Sequence, residues 1–182
     1  RWTQRSVQEQ CHPTVSLGLV NKVVQHLREE AFLEPMDTGF RLRDPLKLLF
    51  AWRDAYRFDQ HERLDCFTLL NGRALLKALS EVFIETAGQL LYASFSAAAV
   101  QAPNVRQPLT WVYVSARELP RFEKRVEAKR VDSGANVVVL VPHDEGVLSY
   151  PDGGLLEDQP IACTCLAQTY VDLWHSGGRG RE

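Results

Sequence analysis

Three places in this 182-residue chain gather residue types that do chemistry. Glu127-Ala128-Lys129, with Asp132 close behind, has the Glu-x-Lys form of nucleases that hold a metal on carboxylates at a sheet edge. Such a nuclease needs a second carboxylate at the end of an earlier strand, and nothing obvious supplies it. Glu-x-Lys triplets are also frequent on solvated segments. His143-Asp144-Glu145 follows an apolar run, where α/β folds often place a site. A regulator sensing a small ligand there is one reading, and a polar loop capping a strand is the plainer one. Gly177-Gly178-Arg179-Gly180 has the composition of a phosphate loop, but it follows a helix instead of opening one, so its N–H groups do not form a helix-start cradle. No serine or cysteine sits in a Gly-x-Ser-x-Gly frame, and no His-x-x-x-His spacing occurs. The expectation is a protein that is not an enzyme, with no catalytic residue, no metal and no cofactor.

The cysteines point the same way. Cys11, Cys66, Cys163 and Cys165 make no Cys-x-x-Cys pair, and one intervening residue is too short a spacing for a common structural zinc site. Free thiols in a reducing cytoplasm are expected. No apolar run approaches the roughly 18 residues of a membrane helix. The chain opens at Arg1 without a methionine or a charged-then-apolar leader. Residues ahead of Arg1 and no secretion signal are therefore expected.

The stretch Ser16 to Arg43 offers binding chemistry instead. Leu17, Val20, Val24 and Leu27 recur at three- and four-residue steps, one face of a helix capped by Ser16. The other face presents Gly18, Asn21, Lys22, Gln25 and Arg28. Two short apolar stretches around Pro35-Met36-Asp37-Thr38-Gly39 then predict a hairpin whose second strand carries Arg41 and Arg43. A preceding helix over residues 2–10, with Thr3 as its cap, completes a helix-turn-helix followed by a wing. In that motif the second helix enters the major groove. Asn21 and Gln25 are suited to adenine edges, and Lys22 to guanine or phosphate, while Arg28, Arg41 and Arg43 would hold phosphates. Gly18 would permit close approach, and Ser16 faces the groove beside it.

Charge distribution agrees modestly. Residues 1–57 hold nine basic and seven acidic residues, and the remainder twelve and sixteen, so a mildly basic front precedes an acidic body. Asp44-Pro45 starts a further helix with Leu49, Trp52 and Tyr56 on one face, leading out of the first domain. Residues 58–63 read as a polar hinge, with the boundary near residue 60.

Beyond it the pattern alternates. Strands are expected over 64–70, 90–93, 109–114, 137–141 and 161–163, and helices over 73–85, 94–101, 116–124 (capped by Ser115) and 166–175. Residues 143–154 read as a loop. The fold class is α+β or α/β: a winged helix-turn-helix domain over residues 1–60, then a mixed α/β domain over 61–182.

Several stretches resemble the AbiEi family of antitoxins, transcriptional regulators of type IV toxin–antitoxin systems. They are WTQRSVQ…VSLGLVNKVVQHL, DPLKLLFAWRDAY, LLYASFSAAAVQAP, YVSARELPRF, SGANVVVLVPHDEGV and QTYVDLWHSGGRGRE, in order along nearly the whole chain. The resemblance implies a DNA-binding winged helix joined to an α/β domain that takes part in neutralising a toxin. The partners it implies are double-stranded DNA of the chain's own promoter and a nucleotidyltransferase-like toxin. It also implies that the GGRG ending continues into a further helix.

Overall fold

A computed structural model describes residues 1–102, 108–156 and 158–177. The chain divides into two compact units, Arg1–Tyr56 and Arg57–Glu182.

In the first unit, helix α1 (Gln4–Gln10) begins at Thr3, which forms a reciprocal capping box with Ser6. Helix α2 (Leu17–Glu29) begins at Ser16, whose hydroxyl oxygen accepts the Leu19 N–H at 3.1 Å. Strands β1 (Leu33–Pro35) and β2 (Phe40–Leu42) pair antiparallel, setting Glu34 opposite Arg41. Val20 and Val24 bury against Leu33 and Phe40, with Val7, Val15 and Leu27 around them. Leu17, expected on this face, is 40% exposed, since it sits in the first turn, outside so small a core. Trp2 joins the hairpin as a bridge, exchanging both backbone hydrogen bonds with Phe40 at 2.9 and 2.8 Å. Gly39 makes that approach possible: its φ is +87°, and a Cβ there would lie 2.1 Å from the Trp2 carbonyl oxygen.

Helix α3 (Pro45–Ala55) starts as its sequence requires, with the Asp44 carboxylate accepting the Leu46 and Lys47 N–H groups. Its apolar stripe is covered less than expected. Leu49 and Tyr56 are half-buried, Trp52 is exposed and edge-on to Tyr56, and no α3 residue is buried.

The second unit is built on one mixed seven-stranded sheet. In chain order its elements are β3 (Glu62–Phe67), α4 (Gly72–Glu85), β4 (Leu90–Tyr92), α5 (Ser94–Gln101), β5 (Thr110–Val114) and α6 (Leu119–Arg125). They continue with β6 (Lys129–Arg130), β7 (Val137–Val141), β8 (Asp152–Leu156), β9 (Gln159–Cys163) and α7 (Leu166–His175). The strand order is β6-β3-β7-β5-β4-β9-β8. β5 with β7 and β4 with β9 run parallel, and the other neighbours antiparallel.

Strand β7 explains its own composition. Val137, Val139 and Val141 enter one core, with Leu76, Leu79 and Val82 of α4 and Phe122 of α6. Val138 and Leu140 enter the other, with Phe95 of α5 and Leu173 of α7. A strand covered by helices on both faces has no polar side, hence the unbroken VVVLV.

Three expectations are corrected, and one strand is new. Phe58 is half-buried on the second core and His61 meets Phe58 and Tyr113 edge-on, so the stretch read as a hinge is part of the second unit. Ser115 gives no cap bond, and a 3-10 turn (Ala116–Glu118) precedes α6. Residues 143–154 hold a 3-10 turn (Glu145–Leu148) and the start of β8. The pair β6 was not expected at all, being only two residues long. No helix among the described residues is long and apolar enough to cross a membrane.

Candidate nucleic-acid interface

The residues singled out on α2 lie where a partner can reach them. Gly18, Asn21, Lys22, Gln25 and Arg28 are all exposed, and Val20 and Val24 on the opposite side seat the helix. Ser16 is exposed too, its oxygen occupied by the cap while its O–H remains a donor. Among the described residues the Lys22 side chain has no ion pair or hydrogen bond, so its charge faces outward. The Gln25 amide donates to Glu29 Oε1 at 3.2 Å, one turn on. Asn21 Oδ1 accepts from Gln4 Nε2 at 2.9 Å, a bond between the two helices.

The wing cations differ from one another. The Arg41 guanidinium is bound to Glu34 across the hairpin at 2.8 Å. That hydrogen bond, and then the charge behind it, holds the Glu34 carboxyl below its ordinary pKa. Arg41 would have to leave Glu34 to meet a phosphate. Arg43 has no side-chain ion pair among the described residues, while its backbone N–H donates to the Phe32 carbonyl at 2.9 Å. The Arg28 guanidinium lies 5.8 Å from the Phe40 ring centre, tying it to the hairpin.

Two features were not read from the sequence. Arg5 is exposed on α1 and adds another cation to the first unit. Leu19 and Val23 are 49% and 48% exposed, four residues apart beside the polar face of α2. Such a pair can meet thymine methyl groups. Their four-residue spacing is visible in the sequence, but their exposure is not.

The other candidate chemistry is dispersed. Glu127 stands in a left-handed turn (φ +52°) after α6, Lys129 is exposed in β6 and Asp132 is exposed beyond it. Among the described residues no three of His, Cys, Asp and Glu gather as a metal-ligand set. Asp144 caps the turn after β7, accepting the Gly146 N–H at 2.8 Å. His143 donates its backbone N–H to His61 Nδ1 at 3.1 Å. Burial first, and then the neighbouring His143 charge, push the His61 pKa down, against the pull of Asp144. Of the GGRG run only Gly177 is described. Its φ of +78° ends α7, and residues 178–180 lie outside the described residues.

One polar network in the second unit also escaped the sequence reading. Buried Asp172 accepts from Tyr113 O–H at 3.1 Å and from Gln168 Nε2 at 2.7 Å, pinning α7 to β5. Thr164 and Thr169 share a hydroxyl bond of 2.8 Å nearby. Nothing local in the sequence marks Gln168 and Asp172, since their partner Tyr113 lies on a distant strand. Compared with protein-family models, curated proteins and solved structures, the chain matched none.

Proposed function

We propose that the first unit is a winged helix-turn-helix that binds duplex DNA, and that the protein is a transcriptional regulator with no catalytic activity of its own. The observation that carries this is the seating of α2. Its apolar stripe is held by the hairpin core while Gly18, Asn21, Lys22 and Gln25 all stand exposed on one polar face. A helix that presents donors, acceptors and a cation at successive turns, next to a hairpin edged with Arg43, suits a major groove flanked by phosphates. The resemblance to AbiEi antitoxins extends the proposal: the regulator represses its own operon in the cytoplasm, and the α/β unit opposes a nucleotidyltransferase-like toxin.

The test is a mobility shift of the full chain on the DNA upstream of its own coding sequence, against unrelated DNA, at two salt concentrations. Preferential binding that weakens steeply with salt is expected. Equal, weak binding to both fragments would overturn specific recognition.

A further inference from the structure

A side-chain hydrogen bond joins the two helices of the proposed DNA-binding unit, from Gln4 Nε2 to Asn21 Oδ1 at 2.9 Å. Both ends are held. Gln4 is the first residue of α1, where the Thr3–Ser6 capping box fixes the backbone. Asn21 stands on α2 between the buried Val20 and Val24. Neither is buried, so the bond lies at the rim of the face assigned to DNA.

The bond decides what Asn21 can offer. An asparagine amide has an oxygen acceptor with two lone pairs at one end and an NH2 donor group at the other, and the bond from Gln4 takes one of those lone pairs. With the oxygen turned to Gln4, the NH2 group is the end that points away. The bidentate contact that asparagine makes with adenine needs both ends, the oxygen accepting from the adenine amino group. An asparagine turned with its NH2 outward suits a base edge made of acceptors, and guanine presents N7 and O6 side by side in the major groove. We propose that Gln4 is a positioning residue that locks the Asn21 amide donor-outward, so that Asn21 reads guanine where its residue type alone suggests adenine. This rests on the DNA-binding reading above.

The chemistry of Gln4 also says how to invert the reader. Glutamate at this position is nearly the same shape but cannot donate. In Gln4→Glu the Asn21 NH2 turns to the new carboxylate and the oxygen faces outward. The base preferred there then becomes one that donates an amino group, adenine or cytosine. In Gln4→Ala the amide is released, and the bidentate adenine contact becomes available.

The experiment selects binding sites from a duplex oligonucleotide pool with a randomised core, using the full chain and the Gln4→Glu, Gln4→Ala and Asn21→Ala variants. Thermal melts confirm that each variant folds. The expected result is a guanine at one position for the parent, a change at that position alone in both Gln4 variants, and no preference there in Asn21→Ala. The change should be about ten-fold in relative affinity between the two bases. If the parent selects a sequence and the Gln4 variants select the same one with the same discrimination, the positioning role is overturned while DNA binding stands. If the parent selects no sequence, specific DNA recognition itself is overturned, and this inference with it.

Discussion

Gly39 and the four thiols show how much a single residue type settles. An alanine at position 39 would need a left-handed backbone and would drive its Cβ into the Trp2 carbonyl. Gly39→Ala should therefore lower the stability of the first unit by at least about 2 kcal/mol, seen as a lower melting temperature and faster cleavage by a protease. Burial raises the pKa of the Cys66 and Cys163 thiols, Cys163 being further disfavoured as a thiolate by Asp152. Cys11 and Cys165 are half-exposed. In the native protein a thiol reagent should label Cys11 and Cys165 first, and Cys66 and Cys163 only on unfolding. Four equal rates would contradict that. The sequence announced a turn at Asp37-Thr38-Gly39, because turn chemistry is local. It could not announce the second reason for glycine, since Trp2 reaches Phe40 from 38 residues away.

Helix starts were legible for the same local reason. Thr3, Ser16 and Asp44 each accept from N–H groups two or three residues ahead, and all three caps form. Ser115 has the right residue type but enters a 3-10 turn instead. Strand β8 escaped notice because Asp152-Gly153-Gly154-Leu155-Leu156 lacks β-branched and aromatic residues, and its pairing with β9 makes it a strand. The hairpin yields a prediction at this scale. On the proposed DNA-binding reading, Lys22→Ala and Arg43→Ala should each reduce the salt slope of binding by about one, the effect of one phosphate contact. Arg41→Ala should reduce it less, because Arg41 is already engaged by Glu34. Glu34→Ala should strengthen binding by releasing Arg41, read in the same titration. Equal slopes for all of these variants would remove the wing from the interface.

For the molecule as a whole, stability has a predictable pH dependence. His61 Nδ1 accepts the His143 N–H, and Phe58, Tyr113, His143 and Asp144 surround its ring. Its folded pKa lies below the unfolded value of about 6.5. Between those two values the unfolded chain binds more protons, so stability is present above about pH 6.5 and lost as pH falls towards the folded pKa. The melting temperature of the second unit should drop over that window, and His61→Asn should flatten the drop. At neutral pH, Phe122→Ala should cost about 3–5 kcal/mol, because Phe122 is fully buried between α6 and the sheet.

The place of β7 in the sheet has a consequence for the order in which the chain can assemble during synthesis. β3 and β5 are not neighbours; β7 lies between them and pairs with both, yet leaves the ribosome after both. A nascent chain that stops short of Val137 holds two strips of sheet with no strand to join them, and each strip keeps an apolar surface uncovered. The second unit therefore closes late, by insertion of its most apolar strand into a waiting slot. Until then the strand and the slot are both open to the wrong partner. Chains stalled just before residue 137 should be sensitive to protease, and chains released beyond α7 resistant.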